Sequence, residues 1–299
     1  MTAAESRFET ARTGRPQGRV LIIAGSDSGG GAGIQADIKT VTALGEFAMT
    51  ALTAVTVQDT LGVHGVQPMD PHIIRGQITS ALADLGADVV KTGMLGDADT
   101  IETVAQALAK ADFQGMLVVD PVMVATSGAR LLDSDAAEVL IRRLVARADL
   151  VTPNMPEAAV LTGRTVASRE DMEAAGRDIV KMGAGAVLMK GGHGDADTVV
   201  DLLVTADGVA EHVSPRQTST STHGTGCTLA SAVAARLSAG VPLDRAWRDG
   251  IAYVQAAMAA APGFGAGHGP LGHGRVRLAD DWPHGSGQGG PAVSVSSGG

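Results

Sequence analysis

Short apolar runs alternate with amphipathic segments along most of the chain. The run RVLIIAG at 19–25 has the length and the terminal glycine of a buried strand. The next segment places Ile34, Ile38, Val41 and Leu44 at helical spacing. The alternation predicts strands at 19–25, 49–58, 88–93, 116–122, 149–154 and 186–192, and helices at 33–46, 72–86, 100–112, 134–148, 156–163, 169–183, 225–239 and 243–261.

Helices that regularly follow strands predict right-handed β-α-β units. We therefore expect an α/β fold, a three-layer α/β/α sandwich with a central, mostly parallel sheet. Segments 198–205 and 208–214 add a predicted β-hairpin. One domain is expected over 19–279, and the remaining segments, 1–18 and the Gly/Ser-rich 280–299, are expected to be disordered extensions.

Composition narrows the class of protein. Hydrophobic residues make up 44% of the 299, while Phe, Trp and Tyr number only 4, 2 and 1, so aliphatic side chains must build the core. The net charge is −9 and no basic cluster stands out, which argues against nucleic acid or an anionic membrane as a partner. A single cysteine and an N-terminus without an apolar run lead us to expect a cytoplasmic protein.

Polar or glycine-rich residues follow nearly every predicted strand. Ligands of open parallel sheets bind beyond the carboxyl ends of the strands, so these segments should meet at one site. Their amides, lysines and carboxylates indicate a polar, phosphate-bearing substrate. The segments are GSDSGGGAGIQAD, Gln58, KTGM, DPVM, TPNMPE and KGGH.

The first glycine-rich segment matches neither common nucleotide-binding loop. A dinucleotide fingerprint needs a third glycine where Ile34 stands after Gly29 and Gly31. Neither Lys39 nor Lys190 has the context of a Walker A lysine. The glycines still allow a ligand to approach the backbone closely, and a plain tight turn is the alternative.

The second glycine-rich segment, HGTGCT, contains the only cysteine, Cys227, at the start of a predicted helix. Unpaired N–H groups at a helix start form an anion site, and their field is expected to lower the pKa of a nearby thiol below its usual ~8.5. Such a thiol could accept a proton. The alternative is a small buried residue, which is common for a free cysteine.

Together these segments resemble the ribokinase-like superfamily and, within it, the hydroxymethylpyrimidine/phosphomethylpyrimidine kinases of thiamin biosynthesis. The resemblance covers about residues 19–275. It implies transfer of the ATP γ-phosphate to an aminopyrimidine hydroxymethyl group, then a second phosphorylation to the pyrophosphate, with Mg²⁺ and a homodimer. It is carried by AGSDSGGGAGIQADIKT, ALTAVTVQDTLGV, KTGML, DPVM, TPNMPEAA, VLMKGGH and THGTGCTLASA.

The resemblance also assigns roles near the thiol and the pyrimidine. Cys227 stands where the superfamily usually has an aspartate base, and Gly224, Thr225 and Gly226 form the anion hole. Gln58 matches the donor and acceptor of an aminopyrimidine edge, and Asp37 would bind a ring nitrogen or the hydroxymethyl group. Gly25, Met94 and Val122 would line the pocket. The alternatives are a polar end-of-strand Gln58, a helix-surface Asp37, and core positions for Met94 and Val122.

The remaining roles concern the nucleotide. By resemblance, Asp120 and Glu157 hold magnesium, while Lys190, Asn154 and Thr225 contact ATP. A helix-capping carboxylate is the alternative for Glu157, and a solvated side chain is the alternative for Lys190.

One departure and three rival functions stay open. Many family members have Lys-Asn where this chain has Thr220-Ser221, which leaves room for a non-catalytic pyrimidine-binding protein. A pyridoxal kinase on the same scaffold is the nearest rival. A thiol hydrolase using Cys227 would need a histidine base, for which His223 is the neighbouring candidate.

Overall fold

The computed structural model describes residues 17–123, 131–132, 135–192, 197–278 and 293–295. Nine strands form one sheet in the order β3-β2-β1-β4-β5-β6-β7-β8-β9. They are β1 (Arg19–Asp27), β2 (Phe47–Gln58), β3 (Val63–Pro68), β4 (Val89–Thr92), β5 (Met116–Val119), β6 (Leu150–Val151), β7 (Ala186–Met189), β8 (Thr198–Thr205) and β9 (Val209–Pro215). The helices are α1 (Gly33–Ala43), α2 (Pro71–Asp84), α3 (Ala98–Lys110), α4 (Ala136–Arg143), α5 (Met155–Thr162), α6 (Arg169–Lys181), α7 (Thr225–Ser238) and α8 (Leu243–Ala259).

The sheet is parallel at its centre and antiparallel at its edges. Strands β2, β1, β4, β5, β6 and β7 pair in parallel, whereas β3, β8 and β9 pair antiparallel. The chain first moves outward from β1 to β2 and β3, then crosses to β4 on the other side of β1. This reversal creates a crevice at the carboxyl ends of β1 and β4, where such sheets bind ligands.

Two apolar layers hold the helices on the sheet. Side chains of a strand alternate between faces, so Leu21 and Ile23 of β1 pack with helices α2 to α6, while Val20 and Ile22 pack with α1, α7 and α8. The expected three-layer α/β/α sandwich is confirmed. Within the described ranges, no helix is both long and apolar enough to cross a membrane.

The structure differs from the sequence prediction at three places. Strand β3 was not predicted, and it is mostly exposed at the sheet edge. The predicted helix 134–148 is interrupted, because α4 ends at Arg143 and a 3₁₀ turn (Val145–Arg147) follows. In the tail expected to be disordered, strand β11 (Val293–Val295) pairs with β10 (Val276–Leu278). Residues 1–16 of the expected N-terminal extension lie outside the described residues.

Candidate active site

A pocket of about 700 Å³ opens at the carboxyl edge of the central strands. It gathers segments that are far apart in the sequence, from the end of β1 to the first turn of α7. All the site residues expected from the sequence, except Asp37, line it. They are Gly25, Gln58, Met94, Asp120, Val122, Asn154, Glu157, Lys190, Gly224, Thr225, Gly226 and Cys227.

The two glycine-rich segments touch each other at the pocket floor. Gly224 is the N-cap of α7 with a φ of 81°, and its carbonyl accepts the N–H of Thr228 at 2.9 Å. A Cβ at Gly224 would overlap the carbonyl oxygen of Gly31. Glycine is therefore required at position 224 by both its backbone angle and its contact. The close packing directs the first turn of α7, with its unpaired N–H groups, into the pocket.

Asp27, at the end of β1, fixes the first glycine-rich segment. Its carboxylate accepts backbone N–H groups from Gly29, Gly31 and Ala32 at 2.8, 2.9 and 2.8 Å. His223 lies 2.9 Å from the same carboxylate through Nε2. Burial alone would raise the pKa of Asp27, but its bonds to His223 and these backbone groups outweigh burial and lower the pKa.

Gln58 projects from the end of β2 beside this pair. Its amide lies 3.1 Å from His223 Nε2 and 3.2 Å from the hydroxyl of Thr56. The amide is thus held on two sides while it borders the pocket. The roles of Asp27 and His223 were missed at the sequence level, where the only signal was their position inside the two glycine-rich segments.

The structure corrects the expectation for Asp37. The residue is 0% exposed and does not border the pocket, so it is placed to contact neither substrate nor solvent. Both of its oxygens bind Lys91 Nζ, at 3.0 and 2.9 Å, and the Ser231 hydroxyl donates to it at 2.6 Å. Asp37 lies on the face of α1 that turns toward α7, which explains its burial between the two helices.

Cys227 lies in the first turn of α7, and its sulfur accepts the N–H of Gly33. The expectation of a lowered thiol pKa is wrong for this structure. Burial raises the pKa of Cys227 to about 12, with Asp37 and Asp120 adding to the rise and Lys91 opposing it. Burial therefore favours the protonated form of the thiol.

A charged cluster borders the pocket near the first turn of α7. Lys190 Nζ lies 3.0 Å from Asp120 Oδ1 and 3.8 Å from Glu157 Oε2. Burial disfavours the ammonium, yet the two carboxylates raise the pKa of Lys190 above its ordinary value. For Glu157, burial is the largest effect and raises the pKa to about 7, with Asp120 adding to the rise and Lys190 opposing it.

Asn154 and Glu157 form the capping box of α5. The Asn154 side chain accepts the N–H of Glu157, and the Glu157 carboxylate accepts the N–H of Asn154, both at 2.8 Å. Glu157 therefore has the capping geometry that was its structural alternative. The backbone of Asn154 also bridges to Lys190, which brings the ends of β6 and β7 together at the charged cluster.

The sequence model of the family described as phosphomethylpyrimidine kinase matches residues 27–272. The chain belongs to the phosphomethylpyrimidine kinase family. It is 46% identical over 256 residues to the hydroxymethylpyrimidine/phosphomethylpyrimidine kinase of Bacillus subtilis, covering 85% of this chain and 94% of that one.

Other relatives extend the comparison. The thiamine biosynthesis bifunctional protein ThiED of Geobacter sulfurreducens is 50% identical over 260 residues, which cover 86% of this chain. The match spans 52% of that longer protein. The phosphomethylpyrimidine kinase of Clostridium difficile superposes with a TM-score of 0.72 at 38% identity, covering 80% and 98% of the two chains.

Pyridoxal kinases share the fold as well. The Bacillus subtilis pyridoxal kinase in its ADP complex has a TM-score of 0.80 at 34% identity, covering 86% of this chain and 98% of that one. The Staphylococcus aureus pyridoxal kinase with AMP-PCP and pyridoxal also scores 0.80, at 35% identity and 87% and 94% coverage. The fold of this chain is therefore similar both to that of phosphomethylpyrimidine kinases and to that of pyridoxal kinases.

The donor set at the charged cluster fits a divalent cation of the kind that kinases use. Asp120 Oδ1 accepts from Thr152 and Lys190, whereas its Oδ2 is buried without a hydrogen-bond partner. An unsatisfied carboxylate oxygen beside a second carboxylate suits Mg²⁺, which typically binds one or two carboxylates plus waters and phosphates. No group of three or more acidic, histidine or cysteine side chains with metal-binding geometry occurs in the part of the chain that the structure describes.

Thr220-Ser221, the departure from the Lys-Asn pair, lies beside the main pocket. These residues line a second hollow of about 570 Å³. Gln217 and Met258 border both hollows, so the two spaces are neighbours. The carbonyl of Thr220 accepts the N–H of Gly269 at 3.2 Å, so the loop packs on the glycine-rich segment that follows α8.

Proposed function

We propose that the protein transfers the γ-phosphate of ATP to 4-amino-5-hydroxymethyl-2-methylpyrimidine and then phosphorylates the monophosphate to the pyrophosphate. One observation carries the proposal: Gln58, Cys227 and Lys190 border the same pocket as the first turn of α7. The names of the relatives, which include thiamine biosynthesis proteins and hydroxymethylpyrimidine kinases, support it.

The phosphates would bind between Lys190 and the start of α7. A Cβ at Gly226 would lie 3.2 Å from Lys190 Nζ, so the ammonium faces the first helical turn directly. The helix N-terminus and the ammonium both attract anions. Phosphoryl transfer depends mainly on positioning and charge neutralisation, which these two groups supply. Magnesium held by Asp120 and Glu157 would neutralise further phosphate charge.

Cys227 would accept the proton of the substrate hydroxyl. As the hydroxyl oxygen bonds to the γ-phosphorus and the bond to the β–γ bridging oxygen breaks, the proton passes to the sulfur and ADP leaves. A protonated thiol cannot take that proton. The reaction therefore requires a form of the site in which Cys227 is ionised, and neighbouring cations must help to produce it.

A pyridoxal kinase is the second candidate. It is favoured by the TM-scores of 0.80 to two pyridoxal kinases, which exceed the 0.72 to the Clostridium difficile phosphomethylpyrimidine kinase. Fold similarity does not select the ring, because the ring is read by a few side chains. Gln58 is the side chain whose amide suits the aminopyrimidine edge.

The proposal extends to assembly and location. The β2–β3 hairpin exposes Val57, Leu61 and Val66, with Phe264 also exposed, and these apolar side chains would be covered in a homodimer. A cytoplasmic enzyme with small-molecule partners, and with neither nucleic acid nor membrane, fits the acidic charge of the chain.

The deciding experiment measures ADP release with ATP and Mg²⁺, offering the hydroxymethylpyrimidine and pyridoxal in parallel. Turnover with the pyrimidine, ending in a pyrophosphate by mass, is expected. Turnover with pyridoxal alone would show that the protein is a kinase whose substrate is pyridoxal and not the pyrimidine. If neither substrate causes ADP release but the pyrimidine binds measurably, the protein is a non-catalytic pyrimidine-binding protein.

Cys227→Ala is the matched test of the proton acceptor. General-base removal should lower kcat by roughly 10² or more and change pyrimidine affinity little, since the base acts in the transition state. A near-normal kcat in Cys227→Ala would show that Cys227 is not the general base. The rest of the proposed function would be unaffected.

A further inference from the structure

A fully buried ion pair lies beneath the pocket. Lys91 in β4 and Asp37 in α1 are both 0% exposed, and the ammonium binds both carboxylate oxygens, at 2.9 and 3.0 Å. Burying two charges is costly even when they are paired, and apolar residues of similar size often serve stability as well or better. The pair therefore calls for a reason other than stability.

The pair is connected to Cys227 through two helices. Gly33 donates its N–H to the Cys227 sulfur, and one turn further along α1 the Asp37 carboxylate accepts the Ser231 hydroxyl at 2.6 Å. Ser231 lies one turn after Cys227 on α7. Residues four apart on a helix have Cβ atoms about 6 Å apart, so one helical turn and one hydrogen bond connect the thiol to the Asp37 carboxylate.

Four charged groups surround the thiol from the elements packed around it. They are Lys91 from β4, Asp37 from α1, Asp120 after β5 and Lys190 after β7. Among them, Lys91 makes the largest contribution that favours a thiolate, whereas Asp37 and Asp120 disfavour it. Burial disfavours the charge of Lys91, but Asp37 outweighs burial and raises the pKa, so Lys91 keeps its charge.

We propose that Lys91 is a positioning residue for phosphoryl transfer: held by Asp37, its ammonium stabilises the ionised form of Cys227 from beneath the pocket. The inference rests on the proposed role of Cys227 as proton acceptor. Lys91 itself does not border the pocket and so acts through the sulfur. Asp37 has two opposite effects, since it fixes the ammonium and also repels a thiolate.

The test uses the fact that Cys227 is the only cysteine, so any thiol alkylation reports on it. Iodoacetamide reacts with the thiolate, and below the thiol pKa its rate follows the thiolate fraction. Rates are measured by intact mass at several pH values between 7 and 9. Lys91→Met should slow alkylation roughly tenfold or more, because the ammonium that favours the thiolate is lost.

The direction of the shift separates an electrostatic role from a structural one. If the pair only supported packing, Lys91→Met would loosen the site, expose the thiol and accelerate alkylation. A faster or an unchanged rate would overturn the inference. Asp249→Asn is the matched control, because Asp249 forms a buried ion pair with Arg236 at 2.9 Å, roughly 13 Å further along α7, and should leave the rate unchanged.

A double variant keeps the test usable if Lys91→Met fails to fold. Asp37→Asn with Lys91→Met removes both charges and leaves no unpaired buried ion. It should react roughly threefold more slowly than the wild type, because Lys91 favours the thiolate more than Asp37 disfavours it. An equal or faster rate would overturn the inference. Melting temperatures of all variants identify those that are folded at the assay temperature.

The outcome is distinguishable from failure of the proposed function. Alkylation needs no turnover, so the expected shifts without pyrimidine phosphorylation by the wild type would reject the kinase activity and keep the link between Lys91 and the thiol. Normal turnover with unshifted alkylation would reject only the role of Lys91.

Discussion

At the scale of single residues, the site depends on a contact between a carboxylate and an imidazole that sequence patterns did not predict. Asp27 and His223 are 196 positions apart and meet at 2.9 Å. Through this contact, the segment that follows β1 is tied to the segment that begins α7. His223 also lies beside Gln58, the residue proposed to bind the pyrimidine ring. The contact between Asp27 and His223 therefore positions both Gln58 and the anion site at the start of α7.

The depressed pKa of Asp27 predicts a pH-dependent contribution to stability. An acid with a lowered folded-state pKa stabilises the fold above its unfolded pKa of about 3.9, and this contribution is lost as pH falls through the folded pKa. Asp27→Asn should therefore lower the free energy of unfolding by about 1 to 3 kcal/mol at pH 7. The difference should begin to shrink below about pH 4, where Asp27 of the unfolded chain takes up a proton, and it should be smallest once the folded carboxylate protonates at its lower pKa.

Urea titrations at pH 7 and pH 3.5 measure this effect. Asp59→Asn is the control: Asp59 also has a lowered pKa but is exposed, so its loss should change stability little at either pH. An equal loss for Asp27→Asn at both pH values would show that its charge is not what stabilises the first glycine-rich segment.

The Gln58→Ala substitution should weaken binding of the pyrimidine ring. Losing one or two hydrogen bonds from a held amide should raise the KM for the pyrimidine roughly five- to tenfold, with a smaller change for ATP. Steady-state kinetics with each substrate varied in turn gives the comparison. Gln67→Ala on the neighbouring strand β3 is the matched control and should behave as wild type. An unchanged pyrimidine KM in Gln58→Ala would mean that other residues read the ring.

At the scale of elements, helix α7 is flanked by two glycines with positive φ. They differ in the atoms that lie around them. Gly224 at its start has φ 81° and contacts the backbone of Gly31, whereas Gly240 after its end has φ 73° and open space around the Cβ position. The two glycines share a backbone conformation, but a Cβ atom would overlap another segment only at Gly224. The start of α7 is thus fixed by contact with another loop, and its end by local conformation alone.

Alanine at these two positions should separate the two effects. Gly240→Ala should lower the free energy of unfolding by about 1 kcal/mol from backbone strain. Gly224→Ala should cost about 3 kcal/mol or more, because the methyl group also forces the two glycine-rich segments apart. Chemical denaturation and ADP release measure both consequences. Similar losses of stability and activity in the two variants would contradict close packing at Gly224.

Local patterns predicted most elements, and the misses have physical causes. Strand β3 contains Gly65 and Pro68 and exposes most of its side chains, so it shows no apolar alternation. The break between α4 and the 3₁₀ turn falls inside a continuous helical pattern, where tertiary packing decides the end. The glycine-rich segments located the pocket, whereas the pairing of Asp37 with Lys91 joins positions 54 apart and leaves no local trace.

At the scale of the whole molecule, the two edges of the sheet differ in how they meet solvent. The β2–β3 edge presents Val57, Leu61 and Val66 at 62, 64 and 50% exposure. The opposite edge, β9, presents Val213 at 52% with charged and polar neighbours along the strand. A concentration of exposed apolar side chains on one edge marks that edge as the proposed dimer contact.

Charge at the β2–β3 edge should therefore change the assembly. Val57→Glu with Leu61→Glu should convert a particle of twice the chain mass into a monomer of 30.1 kDa, measured by light scattering after size exclusion. Val213→Glu on the opposite edge should leave the mass unchanged. A wild type that is already monomeric, or a double variant that stays dimeric, would contradict this contact.

The two apolar layers also have a consequence for synthesis of the chain. Val20 and Ile22 leave the ribosome early, but α7 and α8, which cover their face of the sheet, follow roughly 200 residues later. At about 5 to 20 residues per second, that face waits on the order of 10 to 40 s for its cover. The opposite face gains α2 and α3 much sooner. Before α7 and α8 are made, only α1 is available to cover the face of Val20 and Ile22, so the nascent chain carries a one-sided, partly covered hydrophobic surface for most of its translation.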